Sequence, residues 1–286
     1  MIPPVDELIK FDLNGKLQLL EKHFNADFLT FYGPIVAGLE QTILTVIEDL
    51  AKDLGKRDTL FIILTTPGGS AETVERFVNI IRHHYNEVNF IIPDYAYSAG
   101  TIFCMSGDNI YMDYFSVLGP IDPQVQNKDG RLVAALGYLD KVKEMIEKAK
   151  NEELTSAEFI ILKELDLAEL REYEQAKELT IDQLKKWLVK YKFKNWTTHK
   201  SSGKAVTDED KRQRAEEIAG KLSSSNMWKS HGRPINIECL RELRLIIEDY
   251  GQDPEKSNLI RSYYSLLRDY IMKNDHKIFF HTRRFI

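Results

Sequence analysis

A chain of 286 residues is long enough for one domain, or for one domain with a sizeable appendage, and the second organisation is the one its texture suggests. With 43% hydrophobic and 29% charged residues it has the make-up of a soluble globular protein, and a net charge of -5 gives no electrostatic reason to expect nucleic acid as the main partner. Two cysteines, Cys104 and Cys239, are too few for a disulfide framework or a zinc pattern. The amino terminus lacks a basic leader and a cleavage pattern, and no apolar run is long enough to cross a bilayer. The expectation is a soluble, cytoplasmic protein with no transmembrane segment and no metal.

Residues 26–32 read as a strand closed by Gly33-Pro34, and residues 35–54 as a helix stopped at Gly55. Residues 58–66 are β-rich and too apolar on both faces for an exposed sheet, which predicts a central strand covered on both sides. Residues 71–84 repeat apolar side chains at helical spacing through Val74, Phe77, Val78, Ile80 and Ile81. A strand over 88–92 halted by Pro93, a short helix from about Ser98 to Met105 and a strand over 109–112 follow. This alternation is that of an α/β layered domain.

After Gln126 the texture changes. A turn is predicted at Lys128-Asp129-Gly130-Arg131, and helix formers with heavy charge then run from 139 to 194. A loop over 197–205 precedes a capped helix start at Thr207-Asp208-Glu209-Asp210, with the helix reaching Leu222. A polar loop leads to Pro234, and a last helical stretch begins at Ile237. The predicted organisation is an α/β core over 1–136 and a mainly helical region over 137–286 that completes the site and the oligomer contacts.

Two small-residue turns carry the chemistry. In Thr66-Pro67-Gly68-Gly69, after a strand, bare backbone N–H groups can face a substrate because no Cβ obstructs them, although a Pro-Gly pair is also ordinary turn punctuation. The Gly-Lys-Ser/Thr ending of a phosphate-binding loop and the spaced glycines of a dinucleotide fingerprint are both missing. Ser98 sits between Tyr97 and Ala99-Gly100, where a sharp strand-to-helix bend can expose a nucleophilic hydroxyl. Alone it is explained as well by an N-cap. Its pairing with the Gly-Gly turn, one strand and one helix earlier, points to a nucleophile beside an oxyanion hole.

Asp122, between Ile121 and Pro123, is either a carboxylate that orients a histidine or a routine turn former. Among the histidines, His83 and His84 close a helix, His276 and His281 lie in a basic tail read as solvated, and His23 has no assigned role. His199 and His231 remain as bases, and His231 has the tighter Ser-His-Gly-Arg-Pro context.

The order strand, Pro-Gly-Gly, helix, strand, Ala-Tyr-Ser-Ala-Gly-Thr, helix, strand, Gly-Pro-Ile-Asp-Pro-Gln resembles the Clp protease/crotonase superfamily. Within it the chain is similar to the serine dehydrogenase proteinase family, through Glu174-Gln-Ala176, Lys192-Phe-Lys-Asn-Trp196 and Ser230-His-Gly-Arg233 as well. The resemblance implies a Clp/crotonase-like sheet-and-helix core and a serine peptidase whose triad runs Ser, Asp, His. Ser98 matches the nucleophile, and Gly68 and Gly69 with Ala99 the oxyanion donors; Asp122 and His231 are the choices for the other two roles. It also implies a peptide or protein substrate, no cofactor, and a homo-oligomer built as a trimer or a multiple of one. Many family members carry an amino-terminal membrane segment, which is not read here. Related signal peptide peptidases use a Ser-Lys dyad, for which Lys141, Lys143 and Lys163 are the alternatives.

Two other functions fit parts of the sequence. Crotonase-type chemistry on an acyl-CoA thioester would use carboxylates, and Glu72 and Glu75 follow the Gly-Gly turn, though at the spacing of a solvated helix face. A non-catalytic interaction module would dock through the charged helical stretch 139–194.

Overall fold

The structure is a computed structural model that describes residues 4–126, 132–199 and 202–286. The turn predicted at 128–131 lies outside the described residues. Helix α1 (Pro4–Phe24) leads into β1 (Asp27–Tyr32), and α2 (Glu40–Ala51), β2 (Thr59–Thr65), α3 (Ala71–His84) and β3 (Glu87–Ile91) alternate after it. Strand β4 (Tyr95–Ala96) precedes α4 (Ala99–Met105), β5 (Asn109–Met112) and β6 (Val117–Leu118). The antiparallel pair β7 (Gln124–Gln126) and β8 (Leu132–Ala134) opens onto α5 (Ala135–Lys150), α6 (Ser156–Lys163) and α7 (Leu167–Trp187), and a π-helical turn over Leu188–Lys192 extends α7. Then come α8 (Asp208–Leu222), α9 (Ser225–Trp228), α10 (Ile237–Glu242), β9 (Glu248–Asp249), α11 (Pro254–Lys273) and β10 (Phe279–His281).

A six-stranded sheet ordered β10-β1-β2-β3-β5-β9 forms the frame, parallel throughout except for β10 at its edge. Successive strand side chains point to opposite faces, which explains why β2 is apolar along its whole length. Leu60, Ile62 and Leu64 enter a core with α2, α3 and α4, where Val46, Phe77 and Phe103 meet them. Phe61 and Ile63 enter a second core with Phe28, Leu17 of α1 and Tyr263 of α11. So β2 is covered on both sides, as its composition predicts, and α1 and α11 together cover the second face.

Several boundaries differ from expectation for identifiable reasons. Helix α2 starts at Glu40 and not at 35, because the backbone of Ile35 bridges to Gly69 and Gly38 holds φ +97, a turn that no helix contains. The stretch 139–194 is broken twice. Thr155 caps α6 in a reciprocal box with Glu158, and Asp166 caps α7 by accepting from Ala168 N–H at 2.8 Å. Thr207 and Asp210 form the predicted capping box of α8. Past Ile237 the chain is not helix alone, since it adds β9 and β10 to opposite edges of the sheet. His281, expected to be solvated, is fully buried in β10 between Tyr263 Oη and Asn14 Oδ1, both at 2.8 Å. Burial pulls its pKa down to about 3, so the ring is neutral.

A buried polar cluster lies past the carboxyl end of α4. Asp108 accepts from Val88 N–H (2.8 Å) and Arg82 Nη1 (2.9 Å), and Lys194 pairs with its other oxygen. Lys192 Nζ is buried nearby with no hydrogen-bond partner among the described residues. Burial pulls its pKa down to about 8 from the ordinary 10.5, against the opposing charge of Asp108. Below about pH 8 the folded and unfolded chains both hold the proton, and the desolvation cost stands in full. Between about 8 and 10.5 the folded state alone releases it, so stability rises with pH through that window. Lys192→Met is therefore expected to stabilise the fold at pH 7 by roughly 1–3 kcal/mol. Urea midpoints at pH 7 and pH 10 check this: the gain should shrink at the higher pH, and an equal gain at both would contradict the burial account.

Candidate active site

Strands β2 and β3 are parallel, so the Gly-Gly turn after β2 and the chain that runs from β3 through β4 to Ser98 both start at the carboxyl ends of the strands, where α/β sheets place ligand sites. The turns are laced together. Thr66 N–H donates to Tyr95 O and Tyr97 N–H to Thr66 O, each at 3.0 Å. On the other side, Ile35 N–H donates to Gly68 O (2.8 Å) and Ser70 N–H to Ile35 O (2.9 Å). Gly68 and Gly69 have φ of +103° and +146°, which side-chain-bearing residues avoid. A Cβ on Gly68 would sit 2.9 Å from Ser98 Cβ, and one on Gly69 would sit 1.9 Å from Ile35 O. The two glycines are what lets the loop lie against the serine.

Ser98 has φ 53° and ψ -116°, a conformation that costs a non-glycine residue about 1–3 kcal/mol. It stands at the N-cap position of α4, yet its hydroxyl caps no helix N–H. The capping explanation for this serine is not met. Small residues make the bend possible, since a Cβ on Gly100 would lie 2.4 Å from Thr66 Cγ2. Gly69 N–H and Ala99 N–H donate to no acceptor among the described residues, and both residues line the same cavity as Ser98. Gly68 departs from its expected role as a donor: its N–H is engaged by Thr66 Oγ1 at 3.1 Å. Its contribution is the space left by its missing side chain.

The second half of the chain reaches the site through a short antiparallel contact. Leu118 and Ile235 exchange two backbone hydrogen bonds of 2.9 Å, and Ile121 N–H donates to Leu222 O at 2.9 Å. These ties seat the segment carrying His231 beside the one carrying Asp122. Asp122 is 8% exposed, and its carboxylate accepts from Leu136 N–H at 3.1 Å. Burial pushes its pKa up, while the Leu136 amide and the charge of His231 pull it down. His231 lines a cavity of about 350 Å³ together with Ser98, Gly68, Gly69 and Ala99. It also lines a neighbouring cavity of about 150 Å³ that includes Asp122. His231 therefore borders both the cavity that holds Ser98 and the one that holds Asp122.

The remaining candidates lie elsewhere. His199 pairs with Asp210 at 3.5 Å and packs on Trp196. Lys141 is paired with Glu144 at 3.0 Å, and Lys143 and Lys163 are exposed on α5 and α6; none of the three borders the Ser98 cavity. Glu72 reaches the rim of the cavity, where Ser70 Oγ donates to it at 2.8 Å, but Glu75 turns to Gln183 on α7 at 3.2 Å. The two carboxylates do not converge. Helix α7 supplies a wall that residue-by-residue reading missed, made of Ala176, Leu179 and Thr180. Its only signal in the sequence is the Glu174-Gln-Ala176 motif. Among the described residues, no cluster of histidine, cysteine and carboxylate side chains could hold a metal, and no helix is long and apolar enough to cross a membrane.

A family profile described as ClpP-like SDH-type serine proteinase matches residues 40–211, more than half of the chain. The match contains both small-residue turns and Asp122, and it ends before His231. Uncharacterized protein MJ1495 of Methanocaldococcus jannaschii is 26% identical over 209 residues, which cover 73% of this chain and 56% of that one. Uncharacterized protein MJ0137 of the same organism is 35% identical over 85 residues, covering 30% and 28%. The chain thus spans 56% or less of the length of these curated relatives. Among solved structures, a mutant of the 1510-N membrane-bound stomatin-specific protease in complex with a substrate peptide aligns at 21% identity over 40% of this chain and 56% of that one, with a TM-score of 0.33. A ClpP1 mutant from Listeria monocytogenes aligns at 15% identity over 58% and 77%, with a TM-score of 0.34.

Proposed function

The chain belongs to the ClpP-like SDH-type serine proteinase family, and from that premise we propose that it hydrolyses peptide bonds through an acyl-enzyme on Ser98. The observation that carries the reading is the serine itself, held at positive φ with its hydroxyl unused by the helix and bordering a cavity that His231 also lines. In the first step Ser98 Oγ attacks the scissile carbonyl carbon while His231 takes the hydroxyl proton. Gly69 N–H and Ala99 N–H, unengaged within the fold, donate to the oxygen that becomes negative, and Gly68 leaves room for it. As the C–N bond breaks, His231 returns the proton to the leaving amine. A water then repeats the sequence on the ester, restoring Ser98 and releasing the acid. Asp122 holds the ring of His231 and offsets the positive charge that it gains in each half.

The acyl-CoA reading finds no support, since Glu72 reaches the cavity without its partner Glu75. The choice of base is tested by hydrolysis of fluorescein-labelled casein. His231→Ala is expected to abolish turnover, whereas Lys141→Ala, Lys143→Ala and Lys163→Ala should each leave it within about twofold of wild type. Turnover that survives His231→Ala but is lost in one of the lysine variants would replace the triad with a dyad.

A further inference from the structure

Helix α1 has two apolar faces. Leu13, Leu17 and Leu20 are buried in the core that α1 shares with α11, while Leu8, Phe11 and Leu19 are 70%, 79% and 53% exposed. At 3.6 residues per turn, Leu8, Phe11, Gly15 and Leu19 fall on one stripe opposite the buried side. Gly15 stands at its centre. Nothing lies within 4 Å of a Cβ built on it, so packing within this chain does not require a glycine there. A glycine inside an exposed helix costs about 1 kcal/mol relative to alanine. What it permits is the close approach of another backbone.

The charges on α1 say which backbone. Its first turn is acidic, with Asp6 and Glu7, and its last turn is basic, with Lys22 and His23. Asp6 is engaged by Lys273 and His23 by Glu255, and Glu7 and Lys22 form no ion pair among the described residues. In an antiparallel pair of identical helices centred near Gly15, Glu7 meets the second copy's Lys22, and Phe11 meets the second copy's Leu19. A parallel pair would set like charges together. We propose that α1 is a two-fold contact between two copies of this chain, crossing at Gly15. One helix pair buries less than the roughly 1,600 Å² of a standard interface, so the association is reversible with concentration.

Sedimentation of the whole chain over a concentration series, with and without Leu8→Glu/Phe11→Glu, tests the contact. Both side chains are exposed, so the variant should keep the wild-type melting temperature. The expected result is a wild-type mass that rises with concentration toward twice the variant's. In a Cys239→Ser background, Glu7→Cys/Lys22→Cys should cross-link copies in pairs on mild oxidation, Cys104 being buried and the two new thiols lying about 22 Å apart within one helix. A wild-type mass that is independent of concentration or equal to the variant's overturns the proposal. So does a Glu7→Cys/Lys22→Cys protein that stays uncross-linked, or an α1 stripe whose only measurable effect is sedimentation with phosphatidylcholine vesicles.

Discussion

Ser98→Ala is expected to lower casein hydrolysis by about 10⁴-fold or more while leaving the protein folded, because the acyl-enzyme route vanishes with its nucleophile. The sharper expectation is non-additivity. Ser98 and His231 act on one proton, so the Ser98→Ala/His231→Ala double variant should be no slower than Ser98→Ala alone. Losses that multiply would mean that the two residues act independently. Backbone strain adds a separate readout. Alanine keeps the positive φ of Ser98 and its cost, whereas glycine accepts it, so Ser98→Gly should be more stable than Ser98→Ala by about 1 kcal/mol although equally inactive. A higher midpoint for the alanine variant would contradict the strained bend.

Gly69→Ala should damage stability and turnover together. The new Cβ would lie 1.9 Å from Ile35 O at a φ of +146°, and neither the backbone of Ile35 nor that of the loop can yield without breaking the hydrogen bonds that join them. A destabilisation of about 3 kcal/mol or more is expected from strain and clash combined. In the fraction that folds, displacing the Gly69 N–H should cost about 10²–10³ in kcat. Gly220→Ala is the control, since a Cβ at that position in α8 meets nothing within 4 Å and lies away from both cavities. It should leave turnover unchanged and stabilise the helix by up to about 1 kcal/mol. A Gly69→Ala protein that melts like wild type would remove the reason for a glycine at this position.

The first half of the fold was legible because its signals are local. Residues 58–66 announce a doubly covered strand by composition, and Thr207 with Asp210 announces a helix start by spacing. Ser98 and the two glycines were legible as a pair of turns separated by one helix and one strand. What lay hidden depends on contacts between distant segments. No local pattern shows that Phe279–His281 joins the sheet beside β1, or that a histidine in a basic tail is buried against Tyr263. His231 could be reached only by elimination, since it is the Leu118–Ile235 bridge, far apart in the chain, that carries its segment to Asp122. The loss of Gly68 as a donor was equally invisible, because it turns on one side-chain hydroxyl of Thr66 folding back on the loop.

The nucleophile is the centre of the proposed chemistry, and a fluorophosphonate probe tests it most directly. Peptide mapping of the labelled protein should find one phosphonyl adduct, on Ser98, with labelling lost in Ser98→Ala and slowed in His231→Ala. No adduct on the folded wild-type protein, or one that persists in Ser98→Ala, would contradict the assignment.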